Sequence, residues 1–196
     1  QAGALSGINK MFDRIAANQG DHGYWGYSDG VRPDSSTTQL VMAGLNAARG
    51  VFLDNMDVAR LATLNQLTTN TRNAYAANGL ASVPALDNDE RGHPYVFGDA
   101  ANRNSLQQTA SGVWGQLAGG ADVNSPGVQA YLRWIYNRYE YSTFINNGFW
   151  GERSYYYYLW AFEKAMSFIE LSQVPVAAGN IGPADIGALD PELAGE

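Results

Sequence analysis

The chain has 196 residues, of which 45% are apolar, so its length and composition suit one domain with a substantial core. Its net charge of −7 argues against nucleic acid as a partner, because phosphate backbones recruit basic surfaces. The absence of cysteine excludes disulfides and thiolate zinc sites, and no apolar run is long enough for a transmembrane helix.

Apolar residues recur at helical spacing in six segments of the chain. We expect Asp34 or Ser35 to cap the second segment and Gly50 to end it. Ser125 followed by Pro126 is a typical start for the fifth. The predicted helices span residues 3–18, 35–49, 54–77, 105–118, 125–141 and 154–172.

The third predicted helix carries an apolar stripe that should face the core. That stripe consists of Met56, Leu61, Leu64 and Leu67. A long irregular segment, 80–104, follows this helix, and loops of that length are usually functional or mobile.

No segment shows the alternation of a β-strand, so the sequence predicts an all-α fold with about six helices. Residues 173–196 are rich in Pro, Gly and Ala, which indicates a linker or a tail ordered by its contacts. The predicted domain therefore covers residues 1–172.

A short aromatic motif flanked by glycine recurs between the predicted helices. It reads Gly-Tyr-Trp-Gly at 23–26 and Gly-Phe-Trp-Gly at 148–151, with a degenerate copy at 93–98. Each copy follows a helix and precedes a polar cap and a helix rich in small residues. The pattern predicts helix hairpins in which the aromatic pair fills the turn and glycines let the backbone pass close to the rings.

Residues 19–25, Gln-Gly-Asp-His-Gly-Tyr-Trp, resemble the Gln-x3-Gly-x-Trp signature of squalene-cyclase and prenyltransferase repeats. Residues 34–45 and 154–166 are similar to inner helices of that family, so the resemblance covers roughly 3–172. It implies an α/α toroid, in which inner helices line a cavity and outer helices surround them. It also implies that Gln19 bonds backbone groups at a neighbouring helix end and that Trp25 stacks beside it.

A complete toroid of this family has about six helix pairs, whereas this sequence predicts about three. We therefore expect that the chain is half of a longer protein, closes a ring by self-association, or forms an open arc.

Residues 87–90, Asp-Asn-Asp-Glu, form an acidic cluster. In the class II cyclases of this family, the middle aspartate of Asp-x-Asp-Asp is the general acid, which would correspond to Asp89, with Asp87 and Glu90 beside it. The fourth position departs from that motif, and the cluster lies in a predicted loop, so we favour a solvated turn with an Asx hydrogen bond. A cyclase would require a buried Asp89 at the mouth of an apolar cavity.

The same cluster is a weak candidate for a metal site. Asp87, Asp89 and Glu90 could bind calcium, but Arg91 occupies the fifth position of an EF-hand spacing. The prenyltransferases bind zinc through Asp, Cys and His. Here the two histidines, at 22 and 93, would need a carboxylate as the third ligand. We therefore predict no cofactor.

Aromatic residues are the better candidates for ligand binding. A pocket lined by them would suit an isoprenoid through apolar contact, or a carbohydrate through ring stacking. The candidates are Tyr24, Trp25, Tyr27, Tyr95, Trp150, Tyr155 and Tyr156.

The scaffold signature lacks the catalytic residues of the family, which predicts a non-catalytic domain acting in ligand binding or protein assembly. A lysine-poor composition rich in Asn, Gly and Tyr favours a secreted or periplasmic location. Two enzymatic alternatives stay open. One is a terpenoid cyclase or prenyltransferase-like enzyme with Asp89 as the acid. The other is a carbohydrate-active toroid enzyme, which would need two carboxylates about 5–10 Å apart in an open groove.

Overall fold

The computed structural model describes residues 2–28, 32–81, 85–96, 104–139 and 155–189. In these ranges the chain forms helices and isolated β-bridges, which confirms the predicted all-α class with six helices. The helices are α1 (Ala2–Ala17), α2 (Ser35–Asp54), α3 (Val58–Ala77), α4 (Leu106–Ala118), α5 (Pro126–Tyr136) and α6 (Tyr155–Ser172). None of these six helices is both long enough and apolar enough to cross a membrane.

Polar side chains set the starts of the central helices. Asp34 caps α2 by accepting a hydrogen bond from the Thr37 amide at 2.8 Å, as the sequence predicts. Ser105 accepts one from the Gln108 amide at 3.4 Å at the start of α4. Pro126 occupies the first turn of α5, where its missing N–H costs nothing.

The junction between α2 and α3 differs from the prediction. Gly50 does not end α2, because Phe52 in the next turn is fully buried and packs edge-on against Phe12, with ring centroids 4.8 Å apart. α3 begins after Asp57, whose side chain accepts from the first turn of that helix. Met56 therefore falls in the connecting turn with φ of 53° and is 82% exposed, outside the predicted buried stripe.

The six helices pack in two layers. α2, α4 and α6 form one layer, and α1, α3 and α5 form the other. Each helix also contacts its neighbours in the opposite layer, except that the structure places few contacts between α5 and α6. α4 lies at the centre, in contact with α2, α3, α5 and α6, and each of its residues from Leu106 to Leu117 is buried.

Glycines let large rings approach the central helix. A Cβ atom on Gly115 would lie 2.7 Å from the ring of Tyr75, and one on Gly112 would overlap the ring of Tyr131. Both tyrosines are fully buried. Burial of a large side chain contributes about 1.5–3 kcal/mol. Because these rings and most of α4 are buried together, the core is concentrated around α4.

Candidate ligand-binding site

The loop between α1 and α2 is anchored by Gln19 and Trp25. The indole N–H of the buried Trp25 donates to the Ile15 carbonyl at 2.9 Å. The side-chain amide of Gln19 donates to the Leu67 carbonyl and accepts from the Asn70 side chain, both at 3.0 Å. These bonds lie in the body of α3, rather than at a helix end as the resemblance implies. They hold the loop in place, so both side chains are structural.

Glycine is required where this loop passes α3. Gly23 has φ of 79°, and a Cβ atom there would lie 2.7 Å from the Asn70 carbonyl oxygen. The first copy of the aromatic motif thus lies directly against the neighbouring hairpin.

Tyr24 and His93 form a buried pair that joins the first loop to the second. The Tyr24 hydroxyl lies 2.8 Å from His93 Nε2, and Nδ1 lies 2.7 Å from the Pro94 carbonyl oxygen. Because that carbonyl only accepts, we assign the proton to Nδ1, and Nε2 accepts from Tyr24. Burial lowers the pKa of His93 to about 4, so the ring is neutral at physiological pH.

The Ser36 hydroxyl connects two tyrosines to a buried carboxylate at the N-terminal end of α2. Tyr27, Asp34, Ser36 and Tyr95 are named here the hydroxyl cluster. Ser36 Oγ donates to Asp34 Oδ1 at 2.6 Å, and it lies 2.9 Å from the Tyr27 hydroxyl and 3.1 Å from that of Tyr95. Ser36 thus connects the two tyrosine hydroxyl groups to the carboxylate.

The two tyrosine rings of the hydroxyl cluster face outwards. Tyr27 is 69% exposed and Tyr95 is 41% exposed, whereas Asp34 beneath them is buried. Partial burial, the hydrogen bond with Tyr27 and the charge of Asp34 raise the pKa of Tyr95 to about 12. Tyr95 therefore stays protonated at neutral pH and acts as a hydrogen-bond donor.

Tyr27 also borders an open groove of about 890 Å³ along the first loop, named here the Tyr27 groove. This volume lies within the range of about 300–1,000 Å³ that is typical of small-molecule sites. Its polar lining residues include Arg14, Asn18, Asp21, His22 and Arg32. An exposed ring beside donors and acceptors can bind a ligand that has both an apolar face and hydroxyl groups.

The acidic residues 87–90 do not form one site. Asp89 is exposed, and its amide donates to Asp87 Oδ1 at 2.9 Å, which is the Asx turn that the sequence favours. Asp87 lies 4.0 Å from the guanidinium of Arg133. Glu90 is fully buried and pairs with Arg138 instead. The buried position that a cyclase would require of Asp89 is therefore not met.

Glu90 instead forms a buried ion pair that fixes the second loop to the end of α5. Arg138 donates to both carboxylate oxygens, at 2.6 and 2.7 Å. Asn137 adds a bond at 2.8 Å and the Leu86 amide one at 3.0 Å. Burial opposes ionisation of Glu90, but these bonds outweigh it, and its pKa lies below its usual range.

The histidines and the remaining aromatic candidates lie elsewhere. His93 uses both ring nitrogens within the core, and His22 lies on the exposed first loop. The part of the chain that the structure describes contains no group of three or more His, Asp or Glu residues placed to share a metal ion. Tyr156 is 83% exposed in the first turn of α6, with its ring 6.0 Å from that of Tyr155. Trp150 and its motif at 148–151 lie outside the described residues.

Sequence reasoning did not connect Asp34 and Ser36 with the tyrosines Tyr27 and Tyr95. Asp34 was recognisable as a helix cap, but its role beneath the tyrosines depends on Tyr95, which lies 59 residues from Ser36 in the chain. The available signal was the run of hydroxyl residues after Asp34, at 35–38, which exceeds what capping needs.

Comparison of the chain with protein-family models, curated proteins and solved structures gives no match. Function is therefore inferred from the chemistry of the site.

Proposed function

We propose that this chain is a non-catalytic helix-hairpin repeat domain of the α/α toroid type that binds a carbohydrate in the Tyr27 groove. The observation that carries the proposal is the hydroxyl cluster, of which the exposed Tyr27 ring borders an open groove with several polar side chains in its lining.

The toroid assignment is supported by the order of packing. The helices alternate between two layers along the chain, and each hairpin packs on the next. Gln19 and Trp25, which carry the resemblance to toroid repeats, both stabilise the first hairpin. Three hairpins would make an arc of about half a ring.

A carbohydrate is favoured because its ring carries both C–H faces and hydroxyl groups. The exposed ring of Tyr27 can stack on the C–H face of a sugar, and the polar side chains of the groove can form hydrogen bonds with its hydroxyl groups. An isoprenoid offers no hydroxyl groups to the polar side chains of the groove and would use its apolar lining alone. A secreted or periplasmic location would bring the groove into contact with extracellular glycans.

Binding without catalysis is supported by the protonation states of two groups that adjoin the groove residues Tyr27 and Tyr24. A general acid or base works best when its pKa lies near the working pH. The pKa of Tyr95 is raised to about 12 and that of His93 is lowered to about 4, so neither exchanges protons readily at pH 7. Asp34 is occupied by its hydrogen bonds with Ser36 and the Thr37 amide.

The test is affinity electrophoresis against a panel of neutral and acidic polysaccharides, followed by calorimetry with oligosaccharides of any that bind. We expect Tyr27→Ala to weaken binding about tenfold, which corresponds to about 1.4 kcal/mol. Leu53→Ala is the control, because Leu53 is exposed at the opposite end of α2.

Equal affinity of Tyr27→Ala and the parent protein for a bound glycan would overturn the proposed site. Failure to bind any glycan of the panel would overturn the carbohydrate assignment. Release of shortened or unsaturated sugars would instead place the chain among carbohydrate-active enzymes.

A further inference from the structure

The Tyr27 groove carries more positive than negative charge in its described lining. Arg14 and Arg32 each contribute a guanidinium group, and Asp21 contributes the one carboxylate among the lining residues that the structure describes. The chain as a whole has the opposite balance, with 12 basic and 19 acidic residues and a net charge of −7. The groove is therefore a local exception on an acidic protein.

Both arginines extend from backbone that is tied to Trp25, which is itself part of the groove lining. Arg14 precedes Ile15, whose carbonyl accepts from the Trp25 indole at 2.9 Å. Arg32 lies two residues before Asp34, whose amide donates to the Trp25 carbonyl at 3.1 Å. Both arginine side chains are exposed, so the two cations lie on the accessible surface near the same buried ring.

The helix dipole accounts for one of these arginines and not for the other. Arg14 is in the last turn of α1, where a cation stabilises the C-terminal end of the helix. Arg32 belongs to no helix among the described residues and lines the groove from the loop instead. The groove thus has a cation that the dipole of α1 does not require.

Guanidinium groups recognise anions that have two or more oxygen atoms. Their planar N–H donors match the oxygens of an oxyanion, and such charge-assisted hydrogen bonds are roughly twice as strong as neutral ones. Negative charges far from the groove oppose a bound anion only weakly, because salt screens exposed charges beyond about 8 Å at physiological ionic strength. The local arginines therefore outweigh the net charge of the chain.

We infer that the Tyr27 groove selects acidic glycans, whose carboxylate or sulfate groups pair with Arg14 and Arg32. This selectivity rests on the proposed function of the groove and adds a charge requirement to it. Tyr27 stacks on the sugar ring in either case, whereas the arginines distinguish an acidic sugar from its uncharged counterpart.

The test compares acidic polysaccharides with uncharged forms of the same backbone. Polygalacturonate and alginate are paired with their methyl esters, and a sulfated galactan is paired with its desulfated form. Affinity electrophoresis identifies the pairs that bind, and calorimetry with their oligosaccharides gives the affinities at about 0.15 M salt. For at least one pair we expect the acidic form to bind about tenfold more tightly than the uncharged form. The carboxylated and sulfated arms show which anion the groove accepts.

Two double variants of the full chain locate the source of this preference. Arg14→Gln combined with Arg32→Gln removes both cations from the groove, and we expect the affinities for the acidic and uncharged forms to become equal within about twofold. Arg49→Gln combined with Arg72→Gln removes the same charge from residues that do not line the groove. We expect this control to keep the preference of the parent, because salt screens charges at that distance.

The outcomes distinguish the charge preference from carbohydrate binding itself. Equal affinity of the parent for the acidic and uncharged forms of every glycan that binds would overturn the preference and leave carbohydrate binding in place. A preference that survives Arg14→Gln with Arg32→Gln would also overturn it, because the anion would then bind elsewhere. A control variant that loses the preference would assign it to the overall charge of the chain. Failure of every pair to bind would overturn the proposed function and the preference together.

Discussion

The first and second helix hairpins share one plan but differ in how tightly they are packed. In α1, Phe12 is the one fully buried residue, whereas α4 is buried from Leu106 to Leu117. In α2, Gly44 and Ala47 are exposed, and both line an apolar groove of about 290 Å³ between α1 and α2. The same repeat unit therefore forms core in the middle of the array and accessible surface at its end.

The loops of these two hairpins differ in the same sense. The second loop is fixed by the buried pair of Glu90 and Arg138 and by the buried ring of His93. The first loop presents Tyr27 to solvent beside a groove. Charged residues that suggest chemistry thus stabilise the second loop, and the exposed ring that borders the groove belongs to the first loop.

The largest effect is expected from breaking the buried ion pair. Arg138→Ala leaves Glu90 buried without its cation, which should lower the free energy of unfolding by about 3–5 kcal/mol. Arg60→Ala is the control, since Arg60 pairs with Asp13 and Asp57 at the surface, where water screens the charges, and we expect a much smaller loss. Urea denaturation measures both variants. Equal losses would show that the second loop is no more firmly held than the surface.

The next effect concerns pH. His93 titrates near 6.5 in an unfolded chain, but burial lowers its pKa to about 4 in the folded protein. Between these values the unfolded chain binds more protons, so stability should fall as the pH decreases, by about 3 kcal/mol from pH 7 to pH 4. Urea denaturation across this range tests the slope. His93→Gln should remove most of it, and a slope that persists would assign the effect to other groups.

Glu90 acts at lower pH than His93. Its pKa is below the usual range in the folded protein, so its contribution is present above about pH 4.3 and is lost as the pH falls through the folded value. As the pH is lowered, the contribution of His93 to the free energy of unfolding is therefore lost first, and that of Glu90 is lost at lower pH.

The smallest effect is expected when one methyl group is added to α4 or to α2. Gly112→Ala in α4 would overlap the ring of Tyr131 and should destabilise by about 1–3 kcal/mol. Gly44→Ala in α2 meets no atom within 4 Å and should stabilise by up to about 1 kcal/mol. Thermal unfolding should give shifts of opposite sign. Shifts of the same sign would contradict the difference in packing between the two hairpins.

The elements that could be predicted from the sequence depend on neighbours in the chain. The cap at Asp34, the start of α4 after Ser105 and the end of α3 at Ala77 follow from local hydrogen bonding and from apolar periodicity. Gly50 failed as a helix end because the burial of Phe52 outweighs the low helix propensity of glycine.

The candidate site could be predicted only in part. Tyr27 and Tyr95 are recognisable as aromatic candidates for ligand binding, but their contact with Ser36 above Asp34 cannot be predicted from spacing. The acidic segment drew attention because carboxylates in sequence look like a cluster. In the structure the neighbouring side chains diverge, with Asp89 exposed and Glu90 in the core.

The sequence by itself determined the all-α class and the six helices, because these arise from contacts a few residues apart. Tertiary structure alone decided the partner of Glu90, 48 residues away, and the hydroxyl cluster, which joins residues 59 apart. It also decided that the residues around Ile181 lie against α5, where the Gln129 side chain donates to the Ile181 carbonyl, 52 residues away. The physical reason is that such contacts depend on how whole helices pack, which local periodicity does not specify.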